Sequence, residues 1–424
     1  MKKVMELLRA TAQVTDYKIN IHAKESFELF FVKGKLETVR RTDTCDKEVT
    51  VYVDHDGYKG ESQFFIYPST TDDDLQKLID EAVAKALLIN NKHFTLPENE
   101  TGEFTVESNF IEYDIPDLAA LIAKTVFEAN TVENGSLNSV EVFINRHTGT
   151  IINSRGIHKT QVRYDAMVEA IPTYNGAEQS VELYEQYNFS TFDVETLRRE
   201  ISGKMDEVKA RYEAAKPEEK IECCVILNKQ ELSELFWNIA DDLDFATVYS
   251  RSNLFKKGDV IQNAPTGDSI GITMAGAVTG NIRSACFDGD GLTLRDTRII
   301  EAGKAISYHG SNRHGQYLGE TPTGVLRCLC VDAGSLDDEQ LSRGPSLEVV
   351  SMSGLQVDFY NDYIGGEVRL AYYHDGDKTI PVTGISITGS LREVLDHIRL
   401  STELSVHNGY TGPKKALLSN MKIF

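Results

Sequence analysis

His309 and His314 bracket the segment His-Gly-Ser-Asn-Arg-His, and Cys328 and Cys330 follow at the spacing that puts two side chains on one face of a strand. Imidazole nitrogen and thiolate sulfur are the donors that hold a zinc ion with a position open for water. His309, His314, Cys328 and Cys330 therefore make an alternative metal set. Their spacing argues for a plainer reading. Two histidines on one helix face stand three or four residues apart, and Gly310, Ser311 and Asn312 favour a loop. No Glu follows His309 to serve as a base. Exposed loop histidines, with His309 lining a binding cleft, are preferred. The remaining thiols point to packing: Cys223 and Cys224 lie inside the apolar run Ile221–Leu227, and the six cysteines form no Cys-x-x-Cys pair.

A second group of chemistry-bearing residues falls on a helix expected over Lys229–Phe245. Leu232, Leu235, Phe236, Ile239, Ala240 and Leu243 follow the helical repeat. Glu231, Glu234, Asn238, Asp241 and Asp242 fall on the opposite face, which reads as a solvated face rather than as a hard-cation site. Asn228 with Glu231 resembles a capping box. The helix contains neither His nor Cys. Asp288-Gly289-Asp290-Gly291 begins like a calcium loop, but Leu292 and Ile299 stand where ligands are needed, so a turn is expected. No Gly-x-x-x-x-Gly-Lys-Ser/Thr occurs.

The elements that must position these residues predict an α+β fold. Residues 1–90 read as helix, antiparallel meander, helix, with strands at Tyr17–His22, Phe27–Val32, Lys35–Arg40 and Val49–Val53. Residues 91–116 read as a linker. Residues 117–216 repeat the helix–meander–helix order, which suggests a tandem duplication. Residues 217–424 form the third region. Residues 1–130 hold four glycines, whereas residues 258–324 hold twelve, so a glycine-rich, β-rich, barrel-like C-terminal domain is expected. A further helix is expected over Ser390–Leu404.

The net charge of −21 disfavours direct nucleic-acid binding, which needs Lys and Arg to neutralise phosphates. The longest basic runs are pairs, such as Arg40-Arg41 and Lys256-Lys257. No window approaches the ~20 apolar residues of a membrane span. Glu6 and Arg9 interrupt the apolar stretch that a signal peptide would need, so a cytoplasmic protein without membrane contact is expected.

Four stretches of the second half resemble the TldD/PmbA family of zinc-dependent peptidases and their metal-free relatives. They are Thr247–Phe255; Phe287–Gly291 with Arg295 and Ile299–Gly303; Ser353–Asp358 leading to Gly365–Arg369; and Pro381–Gly384 with Ile387–Leu391. In such families the metal-bearing members carry His-Glu-x-x-x-His on the helix before the Tyr-x-x-Ser stretch, with a further Cys ligand near the C-terminus. This chain reads Glu234-Leu235-Phe236-Trp237-Asn238-Ile239 in the first neighbourhood and Tyr410-Thr411-Gly412-Pro413-Lys414 near its end. Both departures resemble the PmbA (TldE) type. The resemblance implies a non-catalytic subunit without a metal of its own. Zinc would sit in a TldD-type partner subunit, an extended or unfolded peptide would be the substrate, and the chain alone would form a homo-oligomer. Arg251, Glu367, Arg369 and His309 are the expected peptide contacts. The alternatives are a free-standing peptidase using the His309 set, and a regulator acting through protein–protein contacts.

Overall fold

Residues 1–341, 343–376 and 378–424 are described by the computed structural model of the chain. In the first half, α1 (Lys2–Ala10) precedes β1 (Asp16–Val32), β2 (Lys35–His55), β3 (Tyr58–Phe65) and α2 (Asp72–Ala86). After β4 (Asn91–Lys92) and β5 (Thr101–Thr105), α3 (Ile115–Glu128) leads into β6 (Gly135–Asn153), β7 (His158–Asn175), β8 (Ser180–Glu182), β9 (Glu185–Phe189) and α4 (Val194–Glu213).

Helix formation here follows local chemistry. Thr71 caps α2 through its hydroxyl, which accepts from Asp74 N at 3.2 Å, while the Asp74 carboxylate accepts from Thr71 N at 3.2 Å. Leu75, Ile79, Ala82, Val83 and Ala86 form the buried face of α2. Gly60 on β3 lets the end of α2 approach, since a Cβ there would lie 1.9 Å from the Ala86 carbonyl oxygen.

Both helix–meander–helix units share one nine-stranded sheet of order β4-β3-β2-β1-β6-β7-β5, with β8 and β9 pairing on β7. β1 and β6 join the two units, in antiparallel register from Lys18↔Asn153 to Val32↔Ser139. Helices α1 and α2 cover one apolar cluster, and α3 and α4 cover another. The short strands expected at 17–22 and 27–32 are one strand, as are those at 35–40 and 49–53. Their polar middles hide the continuity, because both faces there are largely solvated while backbone pairing continues. The 91–116 segment supplies two strands, and β5 pairs parallel with β7. β5 buries almost nothing, so it leaves no apolar alternation to read.

The second half holds β10 (Cys224–Asn228), α5 (Lys229–Asp242), α6 (Phe245–Ser250), β11 (Ile272–Ala275), β12 (Thr297–Glu301), β13 (Lys304–Ala305), α7 (Asn312–Leu318) and β14 (Cys328–Val331). Then come β15 (Ser346–Met352), β16 (Gln356–Asp358), β17 (Tyr363–Asp375), β18 (Lys378–Val382), β19 (Ile385–Gly389), β20 (Arg399–Leu400), β21 (Leu404–His407), β22 (Tyr410–Pro413), β23 (Lys415–Leu418) and β24 (Lys422–Ile423). These strands build two open sheets rather than the expected barrel. One runs β20-β23-β10-β15-β17-β19-β24, with β16 and β18 added on β17; the other runs β13-β12-β11-β14-β22-β21. Glycine here permits close approach without closing a cylinder: a Cβ at Gly365 would fall 2.3 Å from the Ile387 carbonyl oxygen. The helix expected over Ser390–Leu404 spans only Leu391–His397, and Leu400 enters β20.

The largest apolar cluster takes residues from both sheets and from α5, which touches β10 and β23 of one sheet and β14, β21 and β22 of the other. α5 is therefore the element on which the two sheets meet.

Candidate functional site on a helix without imidazole or thiolate

Leu232, Leu235, Phe236, Ile239 and Ala240 of α5 are fully buried, as its periodicity requires. Its other face is not simply solvated. The Glu234 carboxylate accepts from Leu355 N at 2.8 Å. Asp242 accepts from Leu254 N at 2.7 Å and Phe255 N at 2.8 Å, which fastens the loop after α6. Gln230, Asn238 and Asp241 are the exposed positions. The expected capping box is replaced: the Asn228 side chain donates to Val349 O at 2.6 Å and makes no cap, tying α5 to β15 instead.

Glu231 is 2 % exposed, and burial pushes its carboxyl up to about 7. The Glu234 charge adds to this shift, while the N–H groups of Glu231 and Asn228 oppose it. Its Oε2 has no hydrogen-bond partner. The sequence did carry a signal for this burial. Glu231, Leu235 and Ile239 stand four residues apart, so they stack on one face.

His309 is 3 % exposed, not displayed on a loop. Its Nε2 lies 3.0 Å from the Ala240 carbonyl oxygen, which can only accept, so Nε2 carries the proton and closes the last turn of α5. Its backbone continues the tie, with Phe245 N donating to His309 O at 2.7 Å. Burial holds this imidazole below 6.5, against the pull of the Ala240 carbonyl, Asp244 and Asp241. Such a group stabilises the fold fully above its unfolded value and less as pH falls below 6.5. We expect His309→Ala to cost about 2–3 kcal/mol at pH 7.5, by cavity and lost cap. It should also remove part of the stability loss between pH 7 and pH 5.5. Urea unfolding at both pH values measures this, and equal loss in both proteins would refute the histidine's part in it.

His314 stands on α7, with Nδ1 3.1 Å from Ser311 Oγ, among the rings of Tyr249 and Tyr317. Cys328 is buried on β14, and Cys330 faces the same side. Burial pushes their thiols up to about 11 and about 12, away from the thiolate that a metal requires. Among the described residues, no three His, Cys, Asp or Glu side chains converge as a metal site. The stretch Glu234–Ile239 offers no imidazole or thiolate, and in the C-terminal stretch Tyr410 is buried with its hydroxyl on Pro413 O at 2.9 Å. These donors do not fit a resident zinc.

Glu367 and Arg369 are exposed on one face of β17 and meet at Ser353, whose Oγ donates to Glu367 Oε2 at 3.2 Å and accepts from Arg369 Nε at 3.2 Å. Arg251 is exposed at the end of α6, in left-handed conformation with φ 59°, and is not among their partners. Beside α5, β21 closes one side of the six-stranded sheet, with Leu404 and Val406 exposed on one face. Residues 404–407 pair with β22 alone among the described strands.

No described helix is long and apolar enough to cross a membrane. Residues 220–424 match the family model described as the PmbA/TldA metallopeptidase C-terminal domain, and residues 17–86 match that of PmbA/TldA metallopeptidase domain 1. A Haemophilus influenzae protein described as a metalloprotease PmbA homolog is 24% identical over 386 residues, covering 84% of this chain and 82% of the relative. Among solved structures, TldE of Thermococcus kodakarensis superposes with a TM-score of 0.79 at 14% identity, covering 99% of both chains. A Thermotoga maritima protein described as a modulator of a DNA gyrase gives 0.78 at 15% identity over 100% of both chains. With both end regions matched by family models and the fold shared along its length, the chain belongs to the TldD/PmbA family.

Proposed function

We propose that this chain is a metal-free, non-catalytic subunit of a TldD/PmbA-type metallopeptidase complex, and that it helps hold an extended or unfolded peptide while a partner subunit supplies the zinc. The observation that carries this reading is the state of α5. Its buried face is hydrocarbon apart from Ser233 and the stranded Glu231 carboxyl, and Glu234 and Asp242 are engaged with backbone N–H groups of neighbouring loops. A helix used this way serves as a structural strut. The open strand β21 supports the peptide part, since an edge strand can add an extended chain through backbone hydrogen bonds while alternate side chains meet Leu404 and Val406.

Elemental analysis of the purified chain is expected to find no stoichiometric zinc, and co-expression with a chain bearing His-Glu-x-x-x-His is expected to yield a co-purifying peptidase. Tightly bound stoichiometric zinc in the isolated chain, or a partner fully active alone that never co-purifies, would overturn the reading. Arg251, Glu367 and Arg369 are the assigned peptide contacts on exposed backbone turns and strands. Triple alanine substitution should weaken peptide binding and assembled activity, and unchanged values of both would remove them from the role. His309, buried against Ala240, is reassigned from peptide contact to support of α5.

A further inference from the structure

Between the N-terminal sheet and the second half lies a cavity of about 480 Å³. One wall comes from β1, β6 and β7, the other from residues 283–294 and 325–327. Gln161 ties the walls together: its Oε1 accepts from Cys286 N at 2.8 Å, and its Nε2 donates to Phe287 O at 3.3 Å.

Three guanidinium groups line this space, those of Arg163, Arg283 and Arg327. Among the described residues none of the three side chains has a hydrogen-bond or ion-pair partner, whereas Arg155, Arg298 and Arg313 are each paired with a carboxylate. The other charges of the cavity are spoken for. Lys18 holds Asp290 at 2.6 Å, and the buried Asp288 carboxylate is filled by the N–H groups of Asp290, Leu292 and Val325. Arg163 is half-buried, and its guanidinium is disfavoured first by burial and then by Arg327 and Arg283, against the pull of Asp165. His22, also on the wall, is held below 6.5 by burial and by its neighbours His147 and Arg163. The cavity is thus net positive in a chain of net charge −21, a local field that favours an anionic group there.

One lining residue is linked to the strut helix through Gly409. Gly409 lies against both Arg283 and Trp237 of α5: a Cβ there would stand 3.0 Å from Arg283 Cγ and 3.6 Å from Trp237 Cζ2. Trp237 is the only tryptophan of the chain, so it reports on this corner.

We infer that this cavity is a carboxylate-binding subsite for a short peptide segment, with Arg163, Arg283 and Arg327 as its anchors. A guanidinium matches a carboxylate with two parallel N–H donors, and three of them serve more than one carboxylate. The volume is that of a pocket for a small ligand or a few residues of chain. The peptide part rests on the proposed function; the unpaired arginines do not.

The isolated full-length chain is titrated by calorimetry and Trp237 fluorescence with four probes. These are an acidic peptide with both ends blocked, a neutral peptide with a free C-terminus, the same neutral peptide with both ends blocked, and inorganic phosphate. Arg283→Gln and Arg327→Gln are compared with the unsubstituted chain; both positions are exposed, and at 283 Gln keeps the Cγ that packs on Gly409, so the fold survives. Binding of either carboxylate-bearing peptide, weakened about tenfold or more by each substitution and weakened by salt, is the expected result, and the peptide that binds identifies side-chain or terminal carboxylate as the ligand. Equal binding of the blocked neutral peptide, unmoved by the substitutions, overturns the subsite while sparing the peptide-holding reading. Binding of phosphate alone overturns it as a peptide site. Absence of all binding overturns both.

Discussion

Replacing Asp16 by Ala is expected to destabilise the first half by about 3–5 kcal/mol, the cost of stranding a buried charge. Asp16 is 3 % exposed; its Oδ1 accepts from Ser154 Oγ at 2.7 Å and Arg155 Nε at 2.9 Å, and its Oδ2 from Arg155 Nη2 at 2.9 Å and Lys59 Nζ at 2.9 Å. Lys59 has no exposed surface, and its remaining carboxylate partner once Asp16 is gone is the partly exposed Asp54, at 3.0 Å. The double change Asp16→Ala with Lys59→Met removes both charges and should recover much of the loss, because an absent pair costs far less than a broken one. The first urea transition of each variant measures this, and a single substitution costing under about 1 kcal/mol would refute the account. Burial pushes the Asp16 carboxyl up, but Arg155, Ser154 and Lys59 together hold it below 3.8. Its contribution is therefore present above the unfolded value and is lost as pH falls through the lower folded one. The cluster joins β1, β3 and the turn between β6 and β7, close in sequence to Lys18 on the cavity wall, so its loss should also loosen the inter-half joint.

Glu231→Gln is expected to stabilise the chain at alkaline pH. The folded carboxyl sits at about 7, above its ordinary 4.5, so the folded state holds this proton more tightly than the unfolded state. Stability then falls as pH rises from the lower value to the upper one and is flat beyond. The full span corresponds to about 3 kcal/mol. Glutamine cannot ionise, so its advantage should be near zero at pH 4.5 and grow to about 2–3 kcal/mol by pH 8. Urea unfolding at the two pH values decides it: a variant no more stable than the parent at pH 8 would mean that water or a shifted side chain solvates this carboxylate. The physical source of the effect is the position of Glu231 over Leu235 and Ile239, inside the seam that α5 makes with both sheets.

The apolar spacing of α2, α3 and α5 was sufficient to place those helices, because each has a single buried face that repeats every three to four residues. The absence of imidazole and thiolate from α5 was equally legible, since donor chemistry is a property of residue type. Strand length was not, because β1 and β2 run through polar stretches where only backbone pairing sustains them. Glycine content marked crowding without revealing whether the strands close; the sheet order, decided by long-range pairing, leaves β21 as an edge.

The fate of individual polar side chains depended on neighbours distant in sequence. Glu234 meets Leu355, His309 meets Ala240, and Asn228 turns from its own helix to Val349. The three unpaired arginines belong to β7 and to two separate loops, and only the packing of one half on the other brings them to a single cavity. The sequence by itself thus determined that α5 carries neither imidazole nor thiolate. The tertiary structure decided what that helix holds instead, because hydrogen bonds between residues 69 to 121 positions apart arise only when both sheets close on it.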